Sequence, residues 1–354
     1  MQIAPLDLER WFAEAESDAD IMLGGSGVRA LSADRFDTAP GDLGSVTPTA
    51  GDPAFRADVG EYHGRSADQT VFTCGTQEAN FLALFALVEE HAVVVTPTHG
   101  AFSGLADALA DVTHVPLTEP DWTLDPVAIA EAIGPETDLV AIVNPNDPTG
   151  RYHDEGMMRT VYEHCADNGA YLLCDEVYRP LAADPIPSAA SFGRYGISTG
   201  GVSKAFGLEG LRFGWLCGPT AIVEAAKSWK DYTTISPPTF GQHVAKQAFD
   251  RRDTILEENR EHVRENCALV ETFLAEYDLT WSDPDCGVTA FVEVPEGFDG
   301  GHSFCRSLLT EESVVLAPGE AFGRPEWFRI GYGLPGDGLE TGLSRLRRFL
   351  DRHA

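Results

Sequence analysis

The chain has 354 residues, a formal net charge of −31 and 43% hydrophobic residues. That is enough apolar material for a large core plus a smaller unit, and the charge excludes nucleic acid as a natural partner, since phosphates would be repelled. No apolar run approaches the ~18 residues of a membrane span. Residues 1–20 lack the basic start and apolar middle of a signal peptide, so a cytoplasmic protein is expected.

Only Lys204, Lys227, Lys230 and Lys246 are lysines, against 56 Asp and Glu. Acid-rich, lysine-poor composition suits a high-salt cytoplasm, where screening removes self-repulsion. The seven cysteines are odd in number and form no Cys-x-x-Cys pair. That reads as buried thiols in a reducing compartment, with neither a disulfide framework nor a zinc site.

In chain order, the stretch up to about Leu43 has little strand pattern. Val71–Thr73, Ala92–Thr96, Leu139–Val143, Tyr171–Cys174 and Phe213–Cys217 then read as buried strands, with helices such as 76–90 and 155–168 between them. This alternation predicts an α/β fold, a mostly parallel sheet flanked by helices, with its ligand at the carboxyl ends of the strands. After Pro237 and Pro238, residues 240–277 read as one or two long helices. Strands at 287–294, 314–317 and 328–332 and helices at 303–309 and 338–352 complete a smaller α+β unit. The expected division is 44–249 for the large domain, with 1–43 and 250–354 forming the other.

Five segments carry chemistry. Thr73-Cys-Gly-Thr-Gln-Glu-Ala79 runs from a strand through a glycine turn into a helix, where free N–H groups attract anions. Val143-Asn-Pro-Asn-Asp-Pro-Thr-Gly150 is a strand end followed by a turn. In Tyr171-Leu-Leu-Cys-Asp-Glu-Val-Tyr178, Asp175 ends a strand and faces either the ligand crevice or the next helix start. In Gly200-Gly-Val-Ser-Lys-Ala-Phe-Gly-Leu-Glu-Gly-Leu-Arg-Phe-Gly214, Lys204 precedes glycines that let backbone approach a ligand. A desolvated lysine there loses its proton readily and attacks carbonyls. Arg329, in Trp327-Phe-Arg-Ile-Gly331, can grip a carboxylate through paired hydrogen bonds. Each segment alone also fits an ordinary turn, cap or surface ion pair. Arg29, beside the glycine-rich Gly24-Gly-Ser-Gly-Val28, is a candidate for reading a side-chain carboxylate, with Gly25 lining the same pocket.

Taken in order, the five segments resemble the class I/II aminotransferases of pyridoxal-phosphate (PLP) fold type I, from roughly Leu23 to Leu334. The resemblance implies a mostly parallel seven-stranded sheet, PLP as cofactor, amino-acid and 2-oxo-acid substrates, and a homodimer. It implies that Lys204 holds PLP as a Schiff base and shuttles the proton at Cα. Asp175 then pairs with the ring nitrogen, which makes the ring an electron sink, and Tyr178 with the phenolic oxygen. Gly75, Thr76, Ser203 and Arg212 bind the phosphate, His99 stacks on the ring, and Arg329 takes the α-carboxylate. Three departures stand out. Asp147 replaces the asparagine that donates to the phenolic oxygen, which leaves Asn146, or protonation of one partner, to compensate. Gly201 replaces a phosphate-binding serine, with Ser198 or Thr199 as stand-ins. The tyrosine lent by a neighbouring subunit is missing around Val46. A finer resemblance, through Gly24–Val28, Lys230–Ser236 and Cys286–Phe291, points to the branch containing capreomycidine synthase, which performs elimination and ring closure. A PLP-dependent lyase or cyclase is therefore the alternative to transamination.

Overall fold

The computed structural model describes residues 3–44 and 46–353. Ser45, in the stretch where the neighbour's tyrosine is expected, lies outside them. In chain order the elements are α1 (Asp7–Ala15), β1 (Ile21–Met22), α2 (Pro53–Tyr62), β2 (Thr70–Thr73), α3 (Thr76–Leu87), β3 (His91–Thr96), α4 (Gly100–Leu109) and β4 (Asp111–Pro116). Next come α5 (Pro126–Ala132), β5 (Thr137–Val143), α6 (Glu155–Asn168), β6 (Tyr171–Asp175), β7 (Gly196–Gly201), β8 (Gly214–Cys217) and α7 (Thr220–Lys230). Then follow α8 (Thr239–Asp250), α9 (Arg252–Glu276), β9 (Thr289–Glu293), α10 (Gly300–Glu312), β10 (Val314–Val315), β11 (Ala317–Pro318), β12 (Trp327–Gly331) and α11 (Gly336–His353).

The central sheet has seven strands in the order β2-β8-β7-β6-β5-β3-β4, and β8 alone runs against the rest. Its middle strands are apolar on both faces. Along β5, Val140 and Ile142 pack on one side with Met158 and Val161 of α6, while Leu139 and Ala141 pack on the other with Leu82 of α3. Side chains two apart share a face, so a strand covered by helices on both sides reads as an unbroken apolar run.

The two strands that the apolar pattern does not disclose have physical reasons to hide. β4 lies at the sheet edge and is largely exposed. β7, Gly196-Ile-Ser-Thr-Gly-Gly201, is fully buried but starved of side chains because its neighbours fill the space: a Cβ on Gly200 would lie 2.8 Å from Trp215 Nε1. Helix α3 stops at Leu87 rather than 90, since Val88 is already extended. Helix α6 has the expected bounds. The Asp154 carboxylate caps its first turn, accepting from the Met157 N–H at 2.9 Å, and Gly169 closes it with φ +77.

A second, antiparallel sheet, β11-β12-β9, packs with α9, α10 and α11 around Phe273, Phe304, Phe328, Leu346 and Phe349. The N-terminal segment joins this region through a short parallel ladder between β1 and β10, with Leu23 buried in the same cluster. Among the described residues, no helix is long and apolar enough to cross a membrane.

Candidate active site

Strand direction decides where the chemistry collects. The carboxyl ends of β2, β3, β5, β6 and β7 share one edge of the sheet, and at or just beyond them come Gly75, His99, Asp147, Asp175 and Lys204 respectively.

Asp175 is the last residue of β6, in register with Val143 on one side and Thr199 on the other. Its carboxylate is buried and accepts from Asn80 Nδ2 at 2.7 Å and from the Val177 N–H at 3.1 Å. Thr199 Oγ1 in turn donates to Asn80 Oδ1 at 2.5 Å, which fixes the amide's orientation. No cationic side chain lies within ion-pair distance of Asp175 among the described residues. Burial therefore pushes its carboxyl up to about 6, against the hydrogen bond from Asn80, which lowers it.

Lys204 follows β7. Its ammonium donates to Ser26 Oγ at 2.9 Å and to Glu209 Oε1 at 2.8 Å. Tyr178 reaches the same N-terminal segment, donating its hydroxyl to Ser26 O at 2.7 Å. Burial, reinforced by the nearby Asp147 charge, holds the Tyr178 phenol well above its usual range, so it remains a proton donor. Ser26 thus sits between the lysine and the tyrosine.

The anion cup is built at the start of α3. Gly75 has φ +82, a left-handed value suited to glycine, and a Cβ there would lie 2.6 Å from Arg212 Nη2. The Arg212 guanidinium therefore leans directly over the turn, with Nη1 donating to Glu209 O at 3.2 Å. Thr76 Oγ1 in this turn and Ser203 Oγ, beside Lys204, are both buried and have no hydrogen-bond partner. Buried hydroxyls without partners are costly, and a ligand with several acceptor oxygens resolves both. A Cβ on Gly201 would lie 2.7 Å from Thr76 Oγ1. The threonine hydroxyl occupies the place a serine at 201 would need.

Neither stand-in for that serine is at the cup. Ser198 Oγ donates to Glu176 Oε1 at 2.6 Å, and Thr199 holds Asn80. Asn146 does not substitute for Asp147 either. Its amide donates to Pro97 O at 3.1 Å and its Oδ1 accepts from Thr149 Oγ1 at 2.8 Å, so it is consumed in its own turn.

Asp147 has a different partner. Its carboxylate pairs with Arg329 Nη1 at 2.8 Å, both side chains being buried, while Arg329 Nη2 donates to Gly24 O at 2.7 Å. Arg329 Nε is buried without a partner. Gly25, next to that carbonyl, presses its own oxygen against Gly331 of β12, where a side chain could not fit. His99 caps α4, its Nδ1 accepting from the Ala101 N–H at 3.3 Å, and its Nε2 lies 3.8 Å from Glu9 Oε1 of α1. Arg29 is not gathered with the others: its guanidinium donates to Glu258 O on α9 at 3.3 Å. Sequence reasoning missed Ser26, Asn80 and Glu209. For Asn80 a signal existed, since it lies four residues after Thr76 and so on the same helix face.

The family model for aminotransferases of class I and II matches residues 28–346. The capreomycidine synthase of Streptomyces vinaceus is 31% identical over 98% of this chain and 94% of its own. An aspartate aminotransferase of Thermococcus kodakarensis is 28% identical over 86% of this chain and 80% of its own. The crystal structure of a PLP-dependent aminotransferase from Streptococcus suis superimposes with a TM-score of 0.92 at 29% identity, covering 99% of both chains. The chain belongs to the class I and II aminotransferase family, and its sheet and helices have the architecture of PLP fold type I.

The residues present fit PLP. The crevice offers a lysine amine, a buried carboxylate with no cation, a phenol held as a donor, and an anion cup with a guanidinium and two hydroxyls in need of acceptors.

Proposed function

We propose that this protein is a PLP-dependent aminotransferase that moves an amino group between an L-amino acid and a 2-oxo acid. The observation that carries the reading is Asp175, a carboxylate buried at a strand end and held by an oriented amide, with no cationic side chain within ion-pair distance among the described residues. A protonated ring nitrogen is the partner such a group lacks. Thr76, Ser203, Arg212 and the Gly75 turn would hold the phosphate, Tyr178 would donate to the phenolic oxygen, and His99 would lie against the ring. When bound, PLP supplies an aldehyde that condenses with amines and a ring that accepts the electron pair left at Cα.

The rest is done by side chains. Lys204 Nζ would hold the cofactor and, as a free amine, would take and return a proton at the substrate's Cα. Arg329 orients the substrate through its α-carboxylate. Each terminal nitrogen of Arg329 already has one acceptor and Nε has none, so that carboxylate would meet the unpaired Nε and compete with Asp147 and Gly24 O for the rest.

An absorbance spectrum of the PLP-loaded protein tests this. Loss of the visible band on adding an amino acid, and its return with a 2-oxo acid, is the expected result. Failure of every oxo acid to restore it refutes transamination. The likeness to capreomycidine synthase supports the second reading, a lyase or cyclase. Release of pyruvate and ammonia from a β-substituted amino acid without an acceptor would select it.

We further infer a homodimer working in a salty, reducing cytoplasm. Supporting the dimer, the exposed apolar side chains Leu43, Val46, Trp229, Tyr232, Ile235 and Phe240 fall in two segments tied together by Thr47 Oγ1 donating to Pro237 O. Sedimentation tests it, and a monomer would refute it. A melting temperature that does not rise between dilute buffer and molar KCl would refute the salt adaptation. The large unit, 44–249, holds the cofactor residues, and 1–43 with 250–354 forms the second. The confinement of the seven-stranded sheet to 70–217 supports this division.

A further inference from the structure

One buried cation has no part in the reactions above. Lys230, the last residue of α7, has a side chain with 0% exposure. Its ammonium donates to Glu78 Oε2 at 3.1 Å and to Thr234 Oγ1. Thr233 and Thr234 donate their hydroxyls to the other oxygen, Glu78 Oε1, at 2.8 and 2.6 Å. Three residues of one short segment thus converge on one carboxylate. The loop is wound tightly for this: the Thr233 and Ile235 N–H groups both donate to Lys230 O at 3.0 Å, and Ile235 has φ +66.

Glu78 stands in the first turn of α3 and reaches back to accept from the Cys74 N–H at 2.5 Å. Cys74, Gly75 and Thr76 are the turn that forms the anion cup. A carboxylate at a helix start stabilises the helix, yet a negative charge behind a phosphate site opposes the ligand. The buried ammonium of Lys230 removes that opposition, and the two hydroxyls leave Glu78 only one orientation.

We propose that the loop 230–236 is the positioning element of the anion cup: Lys230, Thr233 and Thr234 hold Glu78, and Glu78 holds the turn 74–76 in the shape that receives a phosphate. None of these residues touches the phosphate; they act through Glu78. The loop compensates for the missing serine at 201 by stiffening the cup from behind. This rests on the reading that the cup takes the phosphate of PLP.

The test separates phosphate from ring. Apoprotein is titrated with PLP and with pyridoxal, which lacks the phosphate but still condenses with Lys204, following absorbance. Wild type binds PLP far more tightly than pyridoxal. In Lys230→Met the Kd for PLP rises about tenfold, the cost of an uncompensated carboxylate beside an anion, and the Kd for pyridoxal stays the same. Glu78→Gln combined with Lys230→Met recovers most of the loss, because charge balance returns. Thr233→Val with Thr234→Val, at exposed positions where folding is not at stake, raises the Kd for PLP about threefold and leaves pyridoxal unchanged.

Equal weakening of PLP and pyridoxal in these variants would mean general damage and overturn the proposal, as would no weakening of either. Equal affinity of wild type for PLP and pyridoxal would instead overturn the cup itself.

Discussion

The two ends of the crevice handle charge in opposite ways. At the phosphate end, polar atoms are left open: Thr76 Oγ1 and Ser203 Oγ have no partners, and the Arg212 guanidinium leans over a bare glycine. At the other end the terminal nitrogens of Arg329 already meet Asp147 and Gly24 O, and its buried Nε lacks a partner. An open site is ordered in advance and binds with little rearrangement. A largely engaged one makes an incoming carboxylate compete with the partners already there. On the proposed reading the difference suits a phosphate that stays through the cycle and a carboxylate that enters and leaves.

This contrast is broken most completely at Lys204, which lies between the ends. Lys204→Ala is expected to lower kcat by about 10³-fold or more, measured in single-turnover reactions with a saturating amino acid. Asp147→Asn sharpens the contrast at the closed end. Removing one member of a buried ion pair leaves an uncompensated guanidinium, so unfolding in denaturant should show a loss of about 3–5 kcal/mol. A bound carboxylate ligand should restore part of it. No restoration would mean that Arg329 is not the carboxylate site.

Asp175 supplies a pH test of the open end. Its folded value near 6 lies above the ordinary carboxylate value near 3.9, so between these the folded apoprotein binds the additional proton. Stability from this group is therefore greatest in acid and falls as pH rises from about 4 to 6, by about 3 kcal/mol in all. Asp175→Asn should flatten that slope and raise the apoprotein's melting temperature above pH 6, while weakening PLP. A slope of the opposite sign, or one unchanged in the variant, would contradict the assignment. The smallest effect is at Thr76. Thr76→Val should leave apoprotein stability unchanged or slightly raised, since the hydroxyl has no partner to lose, and should weaken PLP by about 1 kcal/mol in the same titration.

The strand ends were legible because a parallel sheet sends its functional residues to one edge, and turn residues after apolar runs mark that edge. Asp175 and the turn at Gly75 and Thr76 could be placed that way, whereas Lys204, Tyr178 and Arg212 were named through the order of motifs and the family they resemble. The partnerships were not legible. Asp147 and Arg329 are 182 residues apart, and Glu78 meets Lys230 across 152. Nothing local tells a buried ion pair from two surface charges. Lys230 at the end of α7 reads as an ordinary helix-terminal lysine, and Ser26 as one more polar residue in a glycine-rich loop. β7 escaped because its inward positions are glycines and hydroxyls, made so by Trp215 and Thr76 rather than by any turn. Gly201 reads as a lost ligand until Thr76 is seen in its place.

The bond from Arg329 Nη2 to Gly24 O spans 305 residues. During synthesis the N-terminal wall of the crevice emerges first and waits for β12, nearly the whole length of the chain, before it has anything to close against. Contacts of that separation form late and slowly, because the loop they close must first be ordered. Nascent chains stalled before β12 should therefore have the central sheet, Lys204 included, without a closed substrate end. The face that carries Lys204 would then exist before the N-terminal wall has β12 to close against.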